Sequence, residues 1–473
     1  MKDERFERDL RDVLLEDGGG AVSPGLRERV AAISRGQVAP GRGRAWRTAQ
    51  SVLTGIAAAV VILVAGGLLV VTRPAPGPAA TGSASPSSTA SAPSPTATPA
   101  ALGQTWATVP LTGELAGARF RGMIAFQGGF VAVGTSGPTP GVATAWSSPD
   151  GLSWTKHILP MPQAGPSTAA QIVVGPNGPL AFGTRMNSKG QTIPAVWSSP
   201  DLGGVWSETD LPAPPPLAPG QPGIFQPQVA ASGPAGVVVV ATCVGEAPGP
   251  QCPASTYLWQ SADGLAWRLV TFPEDHVSLS ALVAAGPRFV LGGARNKGLD
   301  PAIWTSPDGI TWTSAGTLPD GGRAPNGDTL WVNAIGVGPS GIIALSAHAG
   351  MSVIARAWAS TDGRSWQVAA DLSDTWFGLY GPPTWTSLGF LAVGWTAPGV
   401  TPPAYPDPSV SAQDNLLRSA DGIHWDVLPT PELPAGDGIG PFAAAADKLV
   451  AATGHAILVS PASAVPVPSP SGR

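Results

Sequence analysis

Beyond residue 104 the chain alternates short apolar runs with segments rich in Gly, Pro, Ser and Thr. Six runs align down the sequence: Phe130-Val-Ala-Val-Gly134, Leu180-Ala-Phe-Gly183, Val237-Val-Val-Val240, Phe289-Val-Leu-Gly292, Ile342-Ile-Ala-Leu345 and Phe390-Leu-Ala-Val-Gly394. Runs this short, bounded by turn residues and rich in β-branched and aromatic side chains, predict strands. Each follows an earlier apolar run. Each is followed, after a variable loop, by a turn, a Trp and a segment that often ends in Leu-Pro, and in the first five a further Trp precedes the turn. The pattern predicts four antiparallel strands per repeat, an all-β body in which one unit cannot bury its own apolar face and must stack on its neighbours.

The first hundred residues carry different patterns. Phe6, Leu10, Val13 and Leu14 share one helical face, Gly18-Gly-Gly interrupts it, and Ser23-Pro24 opens a second short helix bearing Leu26, Val30 and Ile33. Val52–Val71 runs for 20 residues without a charge, the length that spans a bilayer core as a helix. Ten Lys/Arg precede it and only Arg73 follows before Arg119, which places the N-terminus in the cytoplasm and the repeats outside. Pro74–Ala101 contains only Pro, Ala, Gly, Ser and Thr, a composition that has nothing to bury and predicts an extended stalk. The expected organisation is a cytoplasmic segment over 1–47, a transmembrane helix within 48–73, a disordered stalk over 74–103, the repeat domain over 104–462 and a tail over 463–473.

The turn of each repeat carries a fixed phrase, Ser-x-Asp-Gly-x-x-Trp. The first copy is Ser148, Asp150, Gly151 and Trp154; the next of this length is Ser261, Asp263, Gly264 and Trp267. Then come Ser306, Asp308, Gly309 and Trp312, followed by Ser360, Asp362, Gly363 and Trp366. The last is Ser419, Asp421, Gly422 and Trp425. A further copy, Ser199, Asp201, Gly203 and Trp206, is one residue longer. Asp-Gly between strands is a hairpin signal, because Gly accepts positive φ and the Asp and Ser oxygens can take the amides the turn leaves unpaired. These residues are expected to be structural, with the Trp side chains packed against neighbouring sheets. After the last phrase, Phe442-Ala-Ala-Ala, Leu449-Val-Ala-Ala and Ile457-Leu-Val-Ser460 supply three strands without a closing Trp. Gln104-Thr-Trp106-Ala-Thr-Val-Pro110 has the missing fourth-strand pattern, so Trp106 is expected on a closure strand that completes a seventh sheet from the N-terminal side.

The phrase resembles the Asp-box, or BNR, repeat of sialidases, related glycosidases, the sortilin ectodomain and photosystem II assembly-factor propellers, whose usual form is Ser-x-Asp-x-Gly-x-x-Trp. Only the Ser199–Trp206 copy keeps that spacing. The resemblance implies a seven-bladed β-propeller of four-stranded antiparallel blades. Asp boxes occur on propellers of unrelated function. A sialidase would also need three arginines on a substrate carboxylate, a Tyr activated by a Glu, and an Asp. Phe120-Arg121-Gly-Met is only loosely similar to the family's Phe-Arg-Ile-Pro start. The tyrosines are Tyr257, Tyr380 and Tyr405, the candidate converging arginines are Arg121, Arg185, Arg288 and Arg356, and a carboxylate pair for glycoside cleavage cannot be named.

Composition narrows the partners. The 473 residues contain 61 Gly, 53 Pro and 17 Trp, with 43% hydrophobic and 12% charged, which fits a turn-rich packed body. From Gln104 onward 15 Lys/Arg face 23 Asp/Glu, without the basic stripe that nucleic acid requires. Cys243 and Cys252 stand nine apart and, outside the cytoplasm, are expected to form a disulfide. The scattered histidines (His157, His276, His348, His424, His455) predict no metal site, and no cofactor motif occurs. Trp376, Tyr380, Trp385 and Trp395 are aromatics outside the repeat positions and are the candidate binding residues.

The expected function is a membrane-anchored, extracytoplasmic, non-catalytic binding module for a glycan or protein. The alternatives are a glycosidase or sialidase-like hydrolase, and a transmembrane anti-sigma-type regulator with a sensor ectodomain. The layout of the chain resembles such regulators, although the zinc-binding His/Cys pattern seen in many of them is absent before His157.

Overall fold

The aligned apolar runs become the most buried strands of the molecule. Gly129–Ser136, Gly178–Met186 and Arg288–Arg295 are almost wholly buried, because each is second in a sheet whose two faces are covered by neighbouring sheets. The computed structural model describes residues 102–461 apart from 163–164, 189–191, 213–223, 245–255, 276, 296–299, 317, 320–329, 349–352, 373–376 and 397–413. Seven antiparallel sheets follow one another in chain order. Their innermost strands are Arg119–Phe126, Ser167–Gly175, Ile224–Gly233, Ser278–Ala285, Leu330–Gly338, the split pair Phe377–Leu379 and Thr384–Thr386, and Ile439–Ala444. Neighbouring blades pack along these strands, and Ile439–Ala444 packs back against Arg119–Phe126. The ring is a closed seven-bladed propeller.

Among the described residues no helix is long and apolar enough to cross a membrane. The apolar run 52–71, the cytoplasmic segment, the stalk up to residue 101 and the tail lie outside the described residues, as do Trp376 and Cys252, on which the expected disulfide with Cys243 depends.

Each turn phrase is a small hydrogen-bonded cage. In blade four the Ser306 hydroxyl accepts from the Gly309 amide at 2.8 Å and donates to Asp308 Oδ1 at 2.9 Å. The same Asp308 oxygen accepts the amides of Ile310 and Thr311 at 2.8 and 2.7 Å. Gly309 lies at φ +74°, and its carbonyl accepts the Trp312 indole N–H at 3.2 Å.

The other five copies repeat this geometry. Gly151, Gly203, Gly264, Gly363 and Gly422 all hold φ between +72° and +85°. The Gly151 carbonyl accepts the Trp154 indole at 2.8 Å, and that of Gly203 the Trp206 indole at 2.7 Å. Gly264 serves Trp267 at 3.2 Å, Gly363 serves Trp366 at 3.1 Å, and Gly422 serves Trp425 at 3.2 Å. Ser148, Ser261, Ser360 and Ser419 each accept the amide of the box glycine. The longer copy departs here: the extra residue moves the Gly203 amide to Asp201, while Ser199 donates to that carboxylate. Asp150, Asp263, Asp362 and Asp421 each take the two amides after the glycine, as Asp201 takes those of Gly204 and Val205. Packing is uneven. Trp154 and Trp206 are buried, whereas Trp267, Trp366 and Trp425 keep one side partly open. Even so, Trp267 stands edge-on to Phe182 of the preceding blade at 5.6 Å, and Trp425 packs into the core shared with blade five.

The Trp that precedes the phrase anchors differently. Trp197 Nε1 donates to the Pro160 carbonyl at 2.7 Å and Trp259 Nε1 to that of Pro212 at 2.8 Å. Trp304 Nε1 donates to the Glu274 carboxylate at 2.8 Å. All three acceptors belong to the connector that leads in from the preceding blade, so these indoles rivet blade to blade.

Blade seven assembles the same cage from the two ends of the ring. Ala107–Pro110 pairs with Ala456–Ser460, register Ala107 to Val459 and Pro110 to Ala456, and this bears out the closure strand. The Ser460 hydroxyl accepts the buried Gly103 amide at 2.9 Å, and Gly103 lies at φ +79°. Ser460 thus takes the place of the box serine, Gly103 that of the box glycine, and Trp106 follows Gly103 at the box spacing. Trp106 Nε1 donates to the Pro429 carbonyl at 2.9 Å, in the connector out of blade six. Blade seven has Leu458, as blade six has Leu417, where blades one to five have the preceding Trp, and in blade seven Trp106 makes the bond to the connector instead. Leu102 and Gly103, placed in the stalk by composition, therefore belong to the ring: Leu102 packs into the blade six–seven core, and it stands where the other boxes have Asp.

The box carboxylates tie stability to pH. Burial pushes the Asp308 carboxyl up, but the amides of Thr311 and Ile310 and the Ser306 hydroxyl outweigh it and hold the group down from 3.8 to about 2. The amides of Ser365 and Arg364, with the Ser360 hydroxyl and against slight burial, bring Asp362 from 3.8 to about 2. A carboxyl depressed in the folded state stabilises fully above its unfolded value and stops doing so as pH falls through the folded one. The denaturation midpoint of the protein is therefore expected to drop steeply between about pH 4 and pH 2. The gap between wild type and Asp308→Asn, followed by tryptophan fluorescence in guanidinium, should close over the same range.

Candidate binding channel

The innermost strands share a deformation that fixes which side chains face the axis. In six blades the pairing with the second strand skips one residue: Arg121, Ala170, Gln228, Ser280 and Asn333 in blades one to five, and one position within Gly440-Pro441 in blade seven. Blade six goes further. Leu379 and Thr384, five apart, oppose Gly394 and Leu391, three apart, so two residues are extra between Tyr380 and Pro383. A bulge leaves its extra residue out of the ladder and turns it outward. In blades one, two, four and six a glycine of the second strand stands opposite the bulge and lets the backbones approach. A Cβ at Gly183 would sit 1.7 Å from the Thr168 carbonyl oxygen, and one at Gly134 would sit 1.9 Å from that of Arg119.

Exposure follows the same beat. Around the bulge, Leu330, Val332 and Ala334 are buried while Trp331 and Asn333 are partly open, and Leu279 and Ala281 are buried while Ser278 and Ser280 are partly open. On an innermost strand the open side is the central channel. Its upper part is therefore lined by Arg119 and Arg121, by Gln226 and Gln228, by Ser278 and Ser280, by Trp331 and Asn333, and by Tyr380. Below the bulges Ile124, Val173, Ala231, Leu282 and Ile335 are buried in the cores between blades, and the open polar side chains gather at the channel's mouth.

Several of these groups are already tied from blade to blade. Ser280 Oγ donates to the Val332 carbonyl at 2.5 Å, and Asn333 Nδ2 donates to that of Leu379 at 3.0 Å. Gln171 Nε2 donates to the Gln228 carbonyl. Tyr380 hydrogen-bonds Asp414. Burial, with the neighbouring carboxylate, raises the Tyr380 phenol above its ordinary value, and burial raises Asp414 against the bond from Tyr380. The Asp414 carbonyl accepts the Ile439 amide at 2.9 Å, which joins this pair to the start of blade seven's inner strand.

The other arginines considered from sequence do not join Arg121. Arg185 binds Glu208 and Asp210 on the fourth strand of its own sheet, and burial raises the Glu208 carboxyl despite the arginine. Arg356 faces Asp371 at 4.0 Å within blade five. Arg288 stands at the opposite end of its sheet, at the turn out of the inner strand. The candidate aromatics are also separated. Trp385 stacks edge-on with Phe390 at 4.9 Å in the blade five–six interface, whereas Trp395 is buried opposite Gly378. Five residues of strand, roughly 17 Å, lie between those positions. Tyr380 alone of the described three faces the channel. Gln228, Ser280 and Asn333 were missed from sequence because they share no residue type with each other or with Arg121; Gly293 in the second strand marks the bulge at Ser280, but no glycine stands opposite the bulges at Gln228 and Asn333.

No family model matches the chain, and no curated protein matches it. Solved structures similar to it include the Trypanosoma rangeli sialidase, with 14% identity and a TM-score of 0.36, covering 63% of this chain and 56% of the sialidase. YCF48 bound to D1 peptide has 15% identity and a TM-score of 0.42, covering 75% of this chain and 94% of that one. The Penicillium chrysogenum alpha-L-arabinanase complexed with arabinobiose has 12% identity and a TM-score of 0.39, covering 63% and 94%. The likeness is one of fold. This chain spans just over half the length of the sialidase.

Proposed function

We propose that the chain is a membrane-anchored, extracytoplasmic binding module that takes a glycan or protein ligand into the mouth of its propeller channel without transforming it. One observation carries the reading: every blade bulges at the same point and turns a side chain or bare backbone toward one axis, so the bulges build a polar recess. The absence of chemistry is supported by the strands themselves. None of the inner strands contains an Asp or a Glu, and Asp414, which bonds Tyr380 from the start of a third strand, is a single carboxyl. Glycoside cleavage of the usual kind needs two carboxylates flanking the scissile bond.

Arg121 supplies the test. It is partly open to the channel and has no ion-pair or hydrogen-bond partner among the described residues. With the full chain, a panel of glycans and extracytoplasmic peptides should yield at least one ligand whose affinity falls about tenfold in Arg121→Ala, the usual loss when one charged hydrogen bond is removed. Turnover of chromogenic glycosides that is lost in the same variant would overturn the non-catalytic reading. Anchoring is checked separately: deletion of 52–71 should move the protein from the membrane fraction to the soluble one.

A further inference from the structure

The channel mouth is polarised by its hydrogen bonds, and the polarity selects a ligand chemistry. On three consecutive blades the donor hydrogen of a channel side chain is already committed. The Ser280 hydroxyl gives its proton to the Val332 carbonyl, the Asn333 amide nitrogen is turned to the Leu379 carbonyl, and the Tyr380 hydroxyl is turned to Asp414. Ser280 and Tyr380 have no further hydrogen to give and Asn333 keeps one N–H, so what these groups offer a ligand is mainly lone pairs: Ser280 Oγ, Asn333 Oδ1 and Tyr380 Oη form an arc of acceptors on blades four, five and six. The groups are fixed before any ligand arrives, so little side-chain freedom remains to be lost on binding. Blade one has the opposite character. Arg121 has donors only, none of them engaged among the described residues, and Arg119 is exposed beside it. Between the two stands blade seven, whose inner strand Ile439–Ala444 carries no charged side chain. Trp331 lies two residues before Asn333 on the same open side and adds an apolar ring face to the acceptor arc.

We infer that the channel takes a neutral, hydroxyl-rich ligand, a saccharide or related polyol, whose hydroxyls donate to the blade four-to-six arc, whose oxygens accept from Arg121, and whose C–H face lies on Trp331. This deepens the channel-binding reading and rests on it. A hydroxyl is the small group that can donate at one end of the recess and accept at the other. A carboxylate would satisfy Arg121 and meet mostly lone pairs on the arc, and an ammonium group the reverse.

The experiment is calorimetric titration of the full chain in lipid nanodiscs, free of glycosidic detergent, with a neutral hexose trisaccharide panel, the corresponding uronic-acid trisaccharides, and the per-O-methylated form of any binder. Methylation keeps shape and acceptor oxygens but removes every donor. The expected result is binding of a neutral member, loss of binding by about a hundredfold or more on methylation, and weakening of about tenfold in Ser280→Ala, which leaves the bulge backbone in place. Trp331→Phe should weaken it less than Trp331→Ala. Three results overturn the inference: equal binding of the methylated form, binding confined to the acidic members, or indifference to both Ser280→Ala and Trp331→Ala. A blank neutral panel overturns it as well. If an Arg121-dependent ligand of another class is still found, the channel reading stands and only the chemistry named here falls.

Discussion

Trp106→Ala is expected to loosen the ring as a whole. The side chain is half-buried and packs into the core shared by blades six and seven, and its indole N–H reaches the Pro429 carbonyl at 2.9 Å. Removing a packed aromatic costs about 3 kcal/mol or more, a sizeable part of a domain's net stability. The position multiplies the effect. Elsewhere a box Trp, such as Trp154 or Trp425, closes a hairpin whose strands are continuous in the chain. Ala107–Pro110 has no such continuity: it is held by its pairing to Ala456–Ser460, by the Gly103–Ser460, Trp106–Pro429 and Leu111–His455 bonds, and by the packing of Leu102 and Val109. With those weakened, the strand separates and blade seven acquires an open edge along Ala456–Ser460. The full chain should show a lowered guanidinium midpoint and new protease cleavage near residues 102–118 under native conditions. Ser460→Ala, which leaves the buried Gly103 amide without its acceptor, should do the same by about 1–3 kcal/mol. Trp106→Phe keeps most of the packing and should fall between. Wild-type protease resistance in Trp106→Ala, alongside a loss no greater than that of Trp366→Ala in a continuous blade, would contradict the latch.

The contrast between box and channel shows what a single sequence can reveal. The blades were legible because one local constraint, a turn needing Ser, Asp, a positive-φ Gly and a closing Trp, is met by the same residues each time, as at Ser306–Trp312 and Ser360–Trp366. Trp106 was legible for the same reason. Ser460 and Gly103 were not, since their box is divided between distant parts of the chain and Leu102 replaces its Asp. The channel was illegible for the converse reason. Its constraint is one of backbone geometry, a bulge that any side chain can occupy, so Ala170, Gln228, Ser280 and Asn333 look unrelated in sequence although they stand at one level of the ring. Trp385 and Trp395 misled in the other direction. They are neighbours in the sequence, and only the register of the strand between them shows that they occupy opposite ends of a blade.

Gly309→Ala should cost more than an ordinary turn glycine, and the excess measures how tightly one blade sits on the next. The residue is held at φ +74°, where any side chain is strained, and a Cβ there would lie 2.5 Å from Val238 Cγ2 of blade three and 3.0 Å from Gln260 Cγ. Gly128, in the turn of blade one, has a comparable φ of +80° but open space around it. Both substitutions carry the left-handed backbone cost of about 1–2 kcal/mol, and only the first adds the overpacking cost of about 1–3 kcal/mol. Gly128→Ala is expected to shift the unfolding free energy by about the backbone cost alone, and Gly309→Ala by up to twice that or more. The relief test is a double variant: Val238→Ala should be destabilising alone yet recover part of the Gly309→Ala loss, because it opens space where the new methyl must go. Additivity of the two substitutions, within about 0.3–0.5 kcal/mol, would mean that the box turn does not bear on blade three. The packing of blade four on blade three would then have to come from the riveting indole of Trp304 and the apolar core around it, with the glycine serving its own hairpin alone.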